Sequence, residues 1–294
     1  TLDTEGWWPV EMELTPEGNL TILYNGELIH DAVNIPDFAS IENARVAFGG
    51  RTGGANANQF IDNFKIVLEE GSGGAVELVP ELIAYWPFDG GLVDKVAGIE
   101  GEAQGTVEDV EGHLGGAVDF GSGNAGNWIK VDAEANTWLA AASDNDALSV
   151  SFWQKLHVVK SSSTIWFRAE AAGANARNFQ AHVPWGNNAI YFDTAGCCDG
   201  GTQRISKAAE IDFLEWHHFV FVKDGENKSI WIDGELFHEG VNTTALFDDW
   251  TYFAIGSSGT DVFADAIVDD LGVWARGITA DEVAAIYNGG AGAP

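Results

Sequence analysis

The sequence predicts an all-β fold, an antiparallel sandwich of jelly-roll type, and three observations carry that expectation. Short apolar runs of strand length follow one another at turn-punctuated intervals, with no alternation of strands and long helices. Large aromatics and glycine are abundant: 12 Trp, 17 Phe and 36 Gly suit broad-faced strands joined by tight turns. Finally, one block is written twice. Asn25-Gly-Glu-Leu-Ile-His30 answers Asp233-Gly-Glu-Leu-Phe-His238 and Trp8 answers Trp216, both at an offset of 208. Val46-Ala-Phe-Gly-Gly50 answers Phe253-Ala-Ile-Gly-Ser257, and Ile61-Asp-Asn-Phe64 answers Val268-Asp-Asp-Leu271, at an offset of 207. A near-fixed offset marks duplicated domains.

The first copy begins as a hairpin. Trp7 to Leu14 reads as a strand in which Val10, Met12 and Leu14 alternate with Glu11 and Glu13. Pro16-Glu-Gly-Asn19 turns the chain, Leu20 to Tyr24 returns it, and Asn25-Gly26 makes a two-residue turn that needs positive φ twice. Two more strands are expected over 44–50 and 60–68. The second copy has a long strand-rich stretch before Trp216, whereas the first has only seven residues before Trp8. Residues 1–68 are therefore expected to be a partial domain lacking its first half, with a Gly-rich linker over 69–80.

A complete domain is expected over 81–290, followed by a short tail at 291–294. Its strands are expected at 82–88, 117–120, 128–131, 148–156, 164–169, 179–183, 190–193, 216–223, 229–237, 252–256 and 267–274. One helix closes it. Thr279-Ala-Asp-Glu282 is a capping box, Val283, Ile286 and Tyr287 share a face, and Gly289 stops the helix.

Charge excludes some partners. Forty-five acidic against 14 basic residues gives −31, a field that repels nucleic acids and anionic lipid surfaces. No run is long enough to span a membrane, so membrane insertion is not expected. No signal peptide and no initial Met are present, so the chain reads as a processed or truncated product. The two cysteines are adjacent, in Gly-Cys197-Cys198-Asp-Gly-Gly. Such a pair either stays as two thiols or closes on itself, and the expectation is a vicinal disulfide that rigidifies a Gly-rich loop.

Several motifs together resemble one family. Leu82-Ile-Ala-Tyr-Trp-Pro-Phe-Asp89, Gly115-Gly-Ala-Val-Asp-Phe120, Leu148-Ser-Val-Ser-Phe-Trp153, Trp216-His-His-Phe-Val220 and Ile230-Trp-Ile-Asp-Gly234 stand in the family's order. They are followed by Val268-Asp-Asp-Leu-Gly-Val-Trp-Ala-Arg276. Residues 81–290 resemble the laminin-G-like (concanavalin A-like) jelly-roll domains of large secreted and surface proteins. His182-Val-Pro-Trp185, Cys197-Cys198 and Arg204-Ile205 resemble a bacterial subgroup with a double cysteine, and residues 8–68 resemble the later half of a related lectin-like domain. Many such domains hold one calcium between an early loop and the last long strand. The resemblance therefore implies a calcium cofactor, with Asp89 and Asp94 from the loop and Asp269 or Asp270 from the strand.

Sugar binding needs an exposed ring to stack on a pyranose, with amides beside it. Trp185-Gly-Asn187-Asn188 and Asn124-Ala-Gly-Asn-Trp128 have that composition, so Trp185, Asn187, Asn188, Asn124 and Trp128 are the candidate ligand residues. Glycosidases need a spaced acid pair. The nearest string, Glu108-Asp-Val-Glu111, reads as turn-like, Glu11 and Glu13 fall in the partial copy, and no Gly-x-Ser-x-Gly elbow occurs. His217-His218 lacks a partner at metal-ligand spacing. The sequence thus predicts a non-catalytic extracellular or cell-surface adhesion module for a glycan or a surface protein. Its alternative is a filament or assembly subunit whose partial domain is completed by strands from another copy.

Overall fold

The structure, a computed structural model, describes residues 9–15, 19–35, 81–134, 138–200 and 202–288. The chain divides into two compact units, Thr1–Ala75 and Val76–Pro294. In the first, β1 (Val10–Leu14), β2 (Asn19–Tyr24) and β3 (Glu27–Asn34) form an antiparallel meander. Asn25 and Gly26 turn it with φ of 51° and 76°, and Asp233 and Gly234 repeat that geometry in the second unit at 51° and 80°. Trp8, the strands expected at 44–50 and 60–68, and the 69–80 linker lie outside the described residues.

The second unit is a two-sheet antiparallel sandwich. One sheet has seven strands: β13 (Arg204–Ala208), β12 (Ala189–Thr194), β11 (Arg177–His182), β10 (Ile165–Ala169), β17 (Trp250–Ile255), β8 (Trp128–Asp132) and β5 (Gly101–Gln104), in that spatial order. Facing it is an eight-stranded sheet in the order β16 (Glu235–Val241), β15 (Asn227–Ile232), β14 (His217–Asp224), β9 (Ala147–Leu156), β18 (Ala266–Trp274), β7 (Gly116–Asp119) and β6 (Glu108–Glu111). Its eighth strand, β4 (Leu82–Trp86), pairs with the C-terminal half of β18.

Alternation decides which side chains meet between the sheets. Phe167 on β10 stacks on Phe253 of β17 with centroids 3.9 Å apart, and Phe179 meets Phe192 edge-on at 4.7 Å. Phe192 then crosses the interior to Phe221 on β14 at 5.3 Å, tying one sheet to the other. Each fully buried ring of this kind contributes about 1.5–3 kcal/mol. Lys228 of β15 is buried as well and donates from Nζ to the carbonyls of Phe192 and Gln203, both at 2.8 Å. It bridges the two sheets, and burial pulls its pKa down to about 7.

Helix α2 (Ala280–Tyr287) starts at the expected capping box, with both Thr279 and Glu282 bonds formed. Its Val283 packs with Val220, Val222, Trp274 and Ile278 on the outer side of the eight-stranded sheet. That second layer is why β9 is buried on both faces rather than alternating.

Four sequence expectations need correction. Glu108–Glu111 is the edge strand β6, not a turn, because it pairs with β7 residue for residue. The run 229–237 is two strands, β15 and β16, split by the Asp233-Gly234 turn. Strands β5 and β13 were not expected; both are short and largely exposed, so neither carries a long apolar signal. A second short helix, α1 (Ala140–Asp144), also occurs. Among the described residues, no helix is long and apolar enough to cross a membrane.

Candidate functional site

The four aspartates expected to hold calcium separate into two groups. Asp94 is 2% exposed, and its carboxylate accepts from the amides of Tyr85 (3.1 Å), Val96 (2.7 Å), Ala97 (3.1 and 3.2 Å) and Ile99 (2.6 Å). Its Oδ1 ties the loop after β4 to that strand, and its Oδ2 closes the loop on itself. Asp89, Asp269 and Asp270 converge instead around the β6–β7 turn. Asp89 Oδ1 accepts from the Gly116 amide at 2.6 Å, and Asp269 Oδ2 from the Leu114 amide at 2.9 Å. Tyr85 donates its hydroxyl to Asp270 Oδ1. A side chain at Gly112 or Gly115 would collide with the carboxylates of Asp269 or Asp89, so the turn must be built from glycine. The register of β18 against β9 shifts between Asp269 and Gly272, with Asp270 at a φ of 45°. That irregularity lets two consecutive side chains serve one corner instead of opposite faces.

Two oxygens in this corner, Asp269 Oδ1 and Asp270 Oδ2, are buried without a partner. Burial and then repulsion from Asp270 push Asp269 up to about 7. Burial, with repulsion from Asp89, pushes Asp270 up to about 6 despite the bond from Tyr85. Orphaned, mutually repelling carboxylates beside loop carbonyls fit a hard divalent cation. Among the described residues, three Asp, Glu, His or Cys ligand atoms within 4.8 Å of one another occur at Asp193, Cys197 and Cys198 rather than here.

The second candidate region is the outer face of the seven-stranded sheet. Trp166, Gln180, Asp193 and Arg204 are successive cross-strand neighbours from β10 to β13, and His182, Tyr191 and Ser206 form the next row. Asp193 is fully buried and receives Arg177 Nη1 at 2.9 Å and the Nε and Nη2 of Arg204, both at 2.6 Å. Arg204 therefore engages the carboxylate with its planar fork. Burial lowers the pKa of Arg177, whereas for Arg204 the Asp193 bonds outweigh burial and raise it. Three arginines lie over rings on this face: Arg177 over Trp166 at 4.6 Å, Arg204 over Tyr191 at 4.8 Å and Arg168 over Tyr252 at 5.2 Å. Burial drops the pKa of His182 to about 4, so the ring is neutral and its Nδ1 donates to the Ser162 carbonyl at 2.8 Å.

The expected sugar-binding turn follows β11. The amide of Trp185 donates to Ala189 O at 2.8 Å and that of Asn188 to Trp185 O at 2.9 Å, with Asn188 at a φ of 60°. The half-buried indole of Trp185 rests on His182 at 4.5 Å. Exposed Asn187 donates from Nδ2 to the Tyr191 hydroxyl at 3.0 Å. Trp128 opens β8 at the same end of the sheet. The paired row Ile129, Ile255, Ile165, Ala181 runs just below it, which sets Trp128 three strand steps from His182. That is a separation of about 14 Å. Asn124 is used differently: 8% exposed, it donates to the carbonyls of Asn127 and Ala264 and accepts from the amides of Gly126 and Asn127. The structure thus gathers Trp128 and the Trp185–Asn188 turn at one end of a sheet and gives Asn124 to loop construction.

Cys197 and Cys198 form the vicinal disulfide. Arg177 Nη1 lies 2.9 Å and Arg204 Nη2 3.5 Å from Cys197 Sγ, so the pair braces the two arginines. Although the Asp193, Cys197 and Cys198 ligand atoms are close, closed sulfurs and two guanidinium groups leave no place for a cation. Sequence reasoning missed Trp166, Arg168, Arg177 and Arg204. Arg204 stood in a motif of the resemblance without a role, and what joins the four is outward register on neighbouring strands, which appears once the pairing is known.

On the opposite sheet, Ser151 Oγ lies 2.7 Å from His218 Nε2. Ser151 is 2% and His218 1% exposed, and His218 Nδ1 is buried without a partner. A catalytic serine needs an oriented, reachable base; this pair is sealed under α2 and lacks the orienting carboxylate. His217 instead bonds Asp233 at 2.6 Å and fastens the β15–β16 turn.

Comparison with known proteins places these features in context. The concanavalin A-like lectin/glucanases superfamily matches residues 123–284. Domain 4 of AbnA, a GH43 extracellular arabinanase from Geobacillus stearothermophilus in complex with arabinotriose, is similar in structure. Its TM-score is 0.50 at 21% identity, over 69% of this chain and 96% of that one. The binding domain of botulinum neurotoxin DC in complex with SialylT gives a TM-score of 0.56 at 15% identity, over 73% of this chain and 52% of that one. The same domain in complex with rat synaptotagmin II gives 0.55 at 15% identity, over 71% and 51%. These likenesses show the fold. No curated protein sequence matches the chain.

Proposed function

The chain belongs to the concanavalin A-like lectin/glucanases superfamily, and from that premise we propose that it is a non-catalytic, extracellular carbohydrate-binding module of a larger surface protein. The observation that carries this reading is the Trp185–Asn188 turn. A partly exposed indole is held rigidly on His182, with the Asn187 amide and Tyr191 hydroxyl alongside. Stacking and amide contacts of this kind are what a sugar ring requires. Similar folds were captured with arabinotriose, with SialylT and with synaptotagmin, which supports a glycan or protein partner. Calorimetry against an oligosaccharide panel tests the proposal. Saccharide binding by the native chain and its loss in Trp185→Ala are expected; no binding to any saccharide refutes the reading.

Calcium belongs to the same proposal as a structural cofactor. Asp89, Asp269 and Asp270 would hold it, with Asp94 shaping the loop, and its charge would relieve the repulsion among the three carboxylates.

One observation favours a second reading, an assembly subunit completed by strands from a neighbouring copy. On the three-stranded sheet, Val10, Leu28, Ile29 and Val33 are about half exposed and Met12 is 70% exposed. Apolar strands of this kind are templates for pairing. Light scattering decides it: a ladder of multiples supports assembly, and a monomer at all concentrations removes it.

A further inference from the structure

Building on the carbohydrate-binding reading, we infer that the outer face of the seven-stranded sheet selects anionic saccharides, those bearing a carboxylate or a sulfate, through Arg168, Arg177 and Arg204. Arginine is scarce in this chain: there are six, against 45 acidic residues. Three of the six lie on this one face, each laid on an aromatic ring. A random placement of solvating charge does not produce three arginine–aromatic stacks on neighbouring strands. A ring that fixes a guanidinium in its plane presents the remaining N–H groups as a fork suited to planar oxyanions.

The local balance of charge agrees. Arg177 and Arg204 share the single buried carboxylate of Asp193, leaving one positive charge over at the centre of the face. Among the described residues, Arg168 makes no ion pair. Opposing groups do face the site: Asp261 acts on Arg177, and Glu102 and Asp132 flank the β8 side. The chain's overall negative field is screened beyond about 8 Å at physiological salt, so the nearest guanidinium groups dominate what a ligand meets. Donors also outnumber acceptors. Arg168 Nε, Arg177 Nε and Trp166 Nε1 are buried without partners, against one unpartnered acceptor, Gln180 Oε1. These three donors are buried within the face, so a ligand would meet the outer N–H groups of the same guanidinium groups.

If these arginines were only braces for the sheet and the cysteine loop, Asp193 would need Arg177 and Arg204, whereas Arg168, which lies on the Tyr252 ring, takes no part in that brace. That difference sets the test. Size-matched neutral, uronate-bearing and sulfated oligosaccharides are titrated into the native chain, Arg168→Gln, Arg204→Lys and Trp185→Ala, with thermal melts confirming each fold. The native chain is expected to bind an acidic oligosaccharide about tenfold or more tighter than the neutral one, the worth of a charge-assisted hydrogen bond. Added salt and Arg168→Gln should each erode that preference, and Arg204→Lys should weaken it while keeping the charge. The uronate and sulfate arms then identify which oxyanion is read. Binding of neutral sugars as tightly as acidic ones overturns the inference and leaves the carbohydrate reading standing. An acidic preference unmoved by Arg168→Gln and Arg204→Lys overturns it too. Failure of every saccharide removes both.

Discussion

Tyr85 and Asp270, 185 residues apart in the chain, are joined by a hydrogen bond from the phenol to Oδ1. The bond fixes one oxygen of the carboxylate while the other, Oδ2, is buried with no partner. Burial first, and then the charges of Asp270, Asp269 and Asp89, raise the phenol's pKa, so Tyr85 stays a donor at every physiological pH. The corner is thus braced on its protein side and unsatisfied on its inner side.

Calcium is expected to stabilise the second unit. At a hundred times its dissociation constant a ligand adds about 2.7 kcal/mol, which for a domain of this size is on the order of 5–10 °C in Tm. Differential scanning fluorimetry in calcium and in chelator measures it. Asp270→Asn should abolish the calcium shift, whereas Asp94→Asn should lower Tm with and without calcium, because that carboxylate holds backbone amides.

The Ser151–His218 pair is expected to act in stability alone. Replacing Ser151 with alanine leaves a buried imidazole nitrogen unpaired, at a cost of about 1–3 kcal/mol. Urea unfolding reads that loss. A phosphonylating serine reagent should leave the folded chain unlabelled, because both side chains are sealed beneath α2.

His217 and Asp233 give a pH signature. The Asp233 bond raises the pKa of His217. Although burial opposes it, the bonds from His217 and the His218 amide lower that of Asp233. The histidine's share of stability is full below its ordinary 6.5 and is lost as pH rises through the raised value. The aspartate's share is present above its ordinary 3.8 and is lost as pH falls through the lowered one. The native chain should therefore exceed Asp233→Asn in stability most clearly between 3.8 and 6.5. Both groups are partly exposed, so the excess is roughly 0.2–1 kcal/mol. A Tm difference that grows above pH 8 would contradict the assignment.

Native alkylation probes the cysteine loop. Without reductant, iodoacetamide should add nothing to the folded chain, since both sulfurs are joined. After mild reduction it should add twice, because Cys198 is exposed and Cys197 half-buried. Two additions before reduction would show that the thiols are free.

The parts of this molecule legible in its sequence were those set by local rules. The Asn25-Gly26 and Asp233-Gly234 turns announce positive φ, and Thr279 with Glu282 announces the helix start. Long core strands such as β9 and β14 show in their apolar runs. Edge strands β5 and β6 did not, because a strand paired on one side and exposed on both faces has no hydrophobic periodicity. The chemistry of the aspartates was half legible. Residue type nominates Asp94 as readily as Asp89, but only the fold shows that four backbone amides already occupy Asp94. The arginine face was illegible for a related reason. Trp166, Gln180, Asp193 and Arg204 become neighbours through strand pairing across 38 residues of chain, and no short motif encodes that register.

Lys228 has a mechanical meaning. Its ammonium is anchored in β15, yet it grips carbonyls belonging to the seven-stranded sheet at the flank where β12 and β13 end that sheet. A tension that tried to peel the two sheets apart there would have to break both bonds of the one Nζ. Phe192 would resist with them, because the same ammonium lies 4.2 Å from its ring. The sandwich is riveted along that seam.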